Sequence, residues 1–217
     1  MIWQLDLHQE IVSRLPAATE VGVAGSAATP ELLDGWSDLD LHLALPADLR
    51  LTDVVGSQPV WAFENVAAPG SQVLRVVLAD GRRLDLVVRG PGRVIPPPPP
   101  DGNDIRFVAC AAAVKLGRGD RLIGLHLVLD LLRRCLVQAM LLRDHHSGTN
   151  AHRFGTDQDR LADQVRALAD LPLTLTPRPN VVEQAVALHD RWRRELHPAD
   201  RSDWSGLAAV LDRGLAP

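Results

Sequence analysis

An α+β fold, with an N-terminal domain built on a mixed β-sheet followed by a C-terminal all-helical bundle, is predicted by three observations. Short apolar runs separated by turn residues fill the chain up to residue 95. Five consecutive prolines, Pro96 to Pro100, then interrupt sheet and helix alike and form a stiff extended connector. Beyond them apolar residues recur at helical spacing. The expected boundaries are a sheet domain over 1–95, a linker over 96–103 and a helical domain over 104–217.

The elements follow in order. Leu5, Leu7, Ile11, Val12 and Leu15 give one apolar stripe, a first helix stopped by Pro16. Glu20 to Ala24 reads as a strand that ends in a glycine turn at Gly25-Ser26. Thr29 as N-cap, Pro30 at the first helical position and Gly35 as stop mark a small helix before the next strand, Asp38 to Leu45. A helix is expected after Pro46 through Val55, then a strand around Val60 to Val66. Gln72 to Leu78 and Arg82 to Val88 flank Asp80-Gly81, a strong hairpin signal. On the latter strand Leu84, Leu86 and Val88 share one face, so Asp85 and Val87 point to the other. Helices are expected at Ile105 to Leu116, Arg121 to Arg143, Gln158 to Ala169, Val181 to Leu196 and Trp204 to Leu211, punctuated by Gly117, Asp120 and the Asn180/Glu183 capping pair.

Composition narrows the class. With 217 residues, 46% of them hydrophobic, the chain can bury a proper core. A net charge of -4 argues against a nucleic-acid backbone as ligand, because that partner selects a basic face. Cys110 and Cys135 fall within apolar helical patterns and are expected as buried reduced thiols, which suits a cytoplasmic protein. The opening segment from Met1 to His8 has no charged leader before an apolar run, so no secretory signal is expected. The apolar stretch Leu122 to Leu142 is broken by His126, Asp130, Arg133 and Arg134, which predicts a buried bundle helix and no membrane span.

The chemistry is concentrated in the first domain. Asp38 and Asp40 stand two residues apart on one expected strand and would share a face, while Asp85 supplies a third carboxylate from a neighbouring strand. Such a set suits a pair of divalent cations. The turn at Gly25-Ser26 offers backbone N–H groups and a small hydroxyl to a phosphate. The segment from Val23 to Leu43, a Gly-Ser turn followed by Asp-x-Asp, resembles the signature of the polymerase-beta-type nucleotidyltransferase superfamily, and Arg82 to Val88 resembles its third-carboxylate strand. Within it the chain is most similar to the two-domain aminoglycoside and lincosamide nucleotidyltransferases.

The resemblance implies a Mg2+-dependent enzyme. Asp38, Asp40 and Asp85 would hold two Mg2+ ions, with Asp85 also able to take the acceptor proton, and Gly25 and Ser26 would bind the phosphates of ATP or another NTP. The nucleoside monophosphate would pass to a hydroxyl of a small molecule, with an antibiotic-like acceptor as the family expectation. Many members carry a basic residue after the Gly-Ser turn, where this chain has Ala27 and Ala28. Lys115, Arg118 and Arg121 are the residues expected to replace that charge, in a cleft between the domains. His126, Asp130, Arg134 and Gln138 recur every four residues, and His126 and Asp130 are the acceptor-binding candidates. The expected partners are a nucleoside triphosphate and a small-molecule acceptor, with no nucleic acid and no membrane, in a monomer or homodimer. Two rivals stand beside this reading: transfer to a protein side chain, as in antitoxin-like relatives, and a nucleotide-binding regulator without catalysis.

Overall fold

The computed structural model describes residues 3–216, so Met1 and Ile2, the start of the segment read for a secretory signal, lie outside the described residues. It divides into two compact units, one of residues 1–107 together with 204–217, the other of residues 108–203.

The first unit is an α+β structure. Helix α1 (Trp3–Arg14) leads to β1 (Glu20–Ala24), and a single 3-10 turn, Gly25–Ala28, follows directly. A second 3-10 turn, Pro30–Leu32, stands where a small helix is expected. Next come β2 (Leu39–Ala44), β3 (Leu49–Arg50), α2 (Leu51–Val55), β4 (Val60–Ala68), β5 (Ser71–Leu78), β6 (Arg83–Arg89) and β7 (Val94–Ile95). The five-stranded sheet has the order β1-β2-β6-β5-β4. Within this sheet β2 and β6 run parallel and the other pairs antiparallel, so it is mixed as its pattern predicts. The β5–β6 hairpin turns at the expected place, with the Gly81 N–H donating to Leu78 O and the Arg82 N–H to Asp80 Oδ1.

Alternation along the strands separates two faces. Leu39, Leu41 and Leu43 of β2, Leu84, Leu86 and Val88 of β6, and Leu74, Val76 and Leu78 of β5 pack with Leu7 and Ile11 of α1 and Val54 and Val55 of α2. Their burial is the main stabilising term of this unit. The opposite face carries the intervening residues, among them Asp40, His42, Arg75 and Asp85, and it is the face available to a ligand.

Helix α3 (Asn103–Gly117) begins inside the first unit. Asn103 replaces a strand partner: its Oδ1 accepts the Phe63 N–H at 2.9 Å and its Nδ2 donates to Phe63 O at 2.8 Å. Arg106 donates to Trp61 O and lies 5.5 Å from the Trp61 ring. These bonds explain why the division between units falls within α3 and not at the proline run.

The second unit holds the rest of α3 with α4 (Arg121–Ser147), α5 (Arg160–Ala169) and α6 (Val181–Leu196). Asn180 caps α6 by accepting from the Val182 and Glu183 N–H groups, while Glu183 Oε2 takes the Asn180 N–H, a complete capping box. Neither Cys110 nor Cys135 is in a disulfide, both are buried, and burial pushes the Cys135 thiol up to about 12. None of the described helices is long and apolar enough to cross a membrane. One expectation for α4 is corrected: it buries Val128, Leu131, Leu132, Cys135 and Leu142, but its opposite side is apolar and exposed.

A second correction concerns α7 (Ser205–Leu215), which the sequence groups with the helical domain and which belongs to the first unit. Trp204 and Trp61 meet edge to face at 6.2 Å, and Arg213 donates to Asp80 O at 2.7 Å. A Cβ on Gly206 would strike the Trp61 ring and one on Gly214 the Trp36 ring, so α7 approaches the sheet unit through two missing side chains. Trp36, Trp61 and Trp192 are all buried and act as packing residues.

Candidate active site

One row of residues crosses the exposed face of the sheet. Ala24 of β1 pairs with Asp40 of β2, Asp40 with Asp85 of β6, Asp85 with Arg75 of β5, and Arg75 with Glu64 of β4. Neighbouring strands place successive members roughly 4.8 Å apart. The first unit therefore brings two of the three predicted carboxylates into direct register and puts the Gly25 turn at the end of the same row.

Gly25 fits its place for two reasons. Its φ of +56° is left-handed, and a Cβ there would collide with the Asp40 carboxylate. The Asp40 side chain thus lies against the turn that leads into Ser26. Ser26 is half-buried, and its carbonyl accepts the Thr29 N–H at 3.1 Å.

Asp38 stands one residue before β2, and its charge acts on Asp85 more strongly than that of Asp40. Asp38 Oδ1 accepts from Arg83 Nε at 2.5 Å, and Arg83 also donates to Trp36 O. Arg83 is buried, and its Nη1 has no hydrogen-bond partner among the described residues. Asp85 is held in a similar way, with Oδ2 3.3 Å from Arg75 Nε, while Arg75 also pairs with Glu64.

The electrostatics record how closely the carboxylates crowd. Burial and then the negative charge of Asp38 push the Asp85 carboxyl up to about 7; Arg75 pulls it down, and Asp40 pushes it up again. Burial alone would lower the Arg75 pKa, but the hydrogen bond to Glu64 and the charges of Asp85 and Glu64 raise it. Among the described residues no three His, Cys, Asp or Glu side chains stand in metal-holding geometry, and Asp38 and Asp85 are each paired with an arginine. The donor set itself fits a divalent cation. Three carboxylates, one of which burial and then repulsion keep protonated near neutrality, are relieved by positive charge, and oxygen donors suit Mg2+.

The remaining predicted residues lie in the second unit. Lys115 Nζ is 3.8 Å from Asp120 Oδ2, and Arg118 and Arg121 are exposed near the same helix junction. His126 is exposed on α4, whereas both Asp130 oxygens are taken, Oδ1 by Arg133 and Oδ2 by Arg134. Gln138 is buried, so the stripe read from every fourth residue does not present one uniform polar face. Arg75 and Arg83 are the residues that sequence reasoning missed. Arg83 stands two places before Asp85, which puts both on a site-bearing strand, and that spacing was the available signal. Arg75 becomes visible only through strand register.

No protein-family model matches the sequence, and no curated protein matches it. One solved structure that the chain is similar to is the polymerase core of TRAMP, an RNA surveillance complex, at 16% identity and a TM-score of 0.29, covering 92% of this chain and 58% of that one. The chain thus spans less than two thirds of that protein's length, and so loose a superposition carries no argument for fold or chemistry. The expectation that nucleic acid is excluded as a partner is nonetheless corrected, because it rested on the net charge alone. The physical reason is that a chain-wide charge of -4 does not set the charge of one face, and Arg75 stands on the face that bears Asp40 and Asp85.

Proposed function

We propose that this chain is a nucleotidyltransferase that moves a nucleoside monophosphate, AMP from ATP in the first instance, to an acceptor hydroxyl. The observation that supports this reading is the row itself: a Gly-Ser turn packed against Asp40, with Asp85 in register beside it. Asp38, Asp40 and Asp85 would hold two Mg2+ ions, which supply charge stabilisation at the α-phosphate when bound. Ser26 and the backbone N–H groups of the turn bind the terminal phosphates. Arg83 and Arg75 bring to this face the positive charge that Ala27 and Ala28 do not, and they position the two outer carboxylates. Asp85 would accept the proton of the attacking hydroxyl, its carboxylate oriented by Arg75.

A small, polyhydroxylated acceptor of aminoglycoside or lincosamide type is the reading that the family resemblance favours. Pyrophosphate release from NTP and Mg2+ tests it, with aminoglycosides, a lincosamide and an oligonucleotide bearing a free 3′-hydroxyl as acceptors. Release that depends on a small-molecule acceptor and falls at least ~100-fold in Asp40→Ala is expected, the loss typical of a group that stabilises transition-state charge. Release only with the oligonucleotide would move the acceptor to nucleic acid. No release with any acceptor, despite NTP binding, would leave the binding-only regulator.

A further inference from the structure

The face of α4 that turns away from its own bundle carries Leu122, Ile123, Leu125, Leu129, Leu136, Val137, Met140 and Leu141, all exposed, with Leu122 at 82% and Leu129 at 53%. Leu122, Leu129 and Leu136 recur at intervals of seven, the spacing of a helix seam. Together these side chains expose on the order of 700 Å² of apolar surface, above the ~300–600 Å² of the largest patch on a typical monomer and close to the ~800 Å² per partner of a stable interface. Two charged residues interrupt the stripe near its middle: Arg133, 65% exposed in its side chain, and Asp130.

We propose that this face is covered by the α4 helix of a second copy of the chain, packed antiparallel about a two-fold axis level with Leu131 and Leu132. The charges select this occupant and this direction. An axis at that level sets Asp130 against Arg133 of the other copy, and the reverse, so the pair that now closes within one helix at 2.7 Å is exchanged across the interface. The same axis sets Leu122 against Leu141 and Ile123 against Met140, which buries apolar residues at both ends. A parallel pairing would instead stack Arg133 on Arg133. A charged pair inside an apolar seam specifies register and orientation at some cost in stability. A lipid surface is the poorer match, because the acidic Asp130 lies near the middle of this stripe and neutralises Arg133 and Arg134 there. The pairing places Asp130 at an interface and removes it from acceptor binding.

Light scattering on the full chain tests the proposal through a charge swap. The wild type should elute at twice the 23.6 kDa chain mass. Asp130→Arg sets the two new arginines beside Arg133 and Arg134 of both copies, all positive, and Arg133→Asp sets four carboxylates at the axis with only Arg134 of each copy to offset them, so each variant should be monomeric with helix content unchanged by circular dichroism. An equal mixture of the two should recover the dimer, as each supplies what the other lacks. A monomeric wild type, single variants that remain dimeric, or a mixture that stays monomeric would each overturn the pairing. Should both charge variants fail to fold, Leu129→Ser supplies the test, and a dimer that survives it at undiminished affinity overturns the proposal equally. Nucleotidyl transfer plays no part in these measurements, so they stand or fall apart from the proposed activity.

Discussion

At the scale of single residues, Asp85 couples the site to pH. Its carboxyl is raised from 3.8 to about 7, so between those values the folded chain holds a proton that the unfolded chain has released. Stability therefore falls as pH rises through this window, by up to roughly 4 kcal/mol once Asp85 is fully ionised, and the cost vanishes below the unfolded value. A divalent cation needs the ionised form. The melting-point gain from Mg2+ should accordingly grow between about pH 6 and pH 8. Asp85→Asn should flatten that growth and should leave the metal-free protein more stable than wild type at the upper pH. Thermal melts with and without Mg2+ read both effects, and a wild-type gain that is level across the range would refute the crowding of these carboxylates. Asp40 and Asp85 were legible from sequence because alternation assigns each to a strand face. Arg75 and Arg83 were not, since an arginine on a half-exposed strand reads the same whether it meets water or a carboxylate. Only strand register distinguishes the two cases, and register joins residues too far apart in sequence for a local pattern to reveal.

At the scale of elements, the helices and strands of the chain follow from capping, turns and apolar period, and their energetic worth is measurable. Asn180→Ala removes a side-chain acceptor from two N–H groups at the start of α6 and breaks the capping box with Glu183. A loss of about 1 kcal/mol in urea unfolding is expected. The opposite logic governs α7. Alanine in place of glycine ordinarily favours a helix by ~1 kcal/mol. At Gly214 the added methyl would press into the Trp36 ring, which is itself buried, and overpacking costs about 1–3 kcal/mol. Gly214→Ala should therefore destabilise on balance, and a higher urea midpoint would contradict the close approach. The helical character of α7 was evident from its apolar spacing. Its place was not, because a glycine inside a helix pattern signals a near neighbour without saying which one, and the preceding helices are the obvious neighbours by sequence.

At the scale of the whole molecule, the chain enters the second unit within α3 and returns to the first after Asp203. The sequence makes the composition shift at Pro96 to Pro100 conspicuous, yet proline marks where regular structure stops and not where packing changes. Asn103 and Arg106 still bond to β4 beyond the prolines, and Trp204 and Arg213 bond to the sheet unit from the far end of the chain. It follows that the sheet unit is closed by residues more than a hundred positions away from it in sequence, whereas the second unit is continuous. A chain ended at Asp203 should lose the cover that α7 gives to Trp36, Trp61 and the β5–β6 hairpin, while α4, α5 and α6 keep their own contacts. Amide hydrogen exchange would show this directly, since protection reports local opening free energy element by element. Amides of β4, β5 and β6 should exchange at least about tenfold faster, an opening roughly 1.4 kcal/mol easier, with those of α4 and α6 unchanged. Faster exchange confined to α4 and α6 would instead return α7 to the helical bundle and restore the division that the prolines suggest.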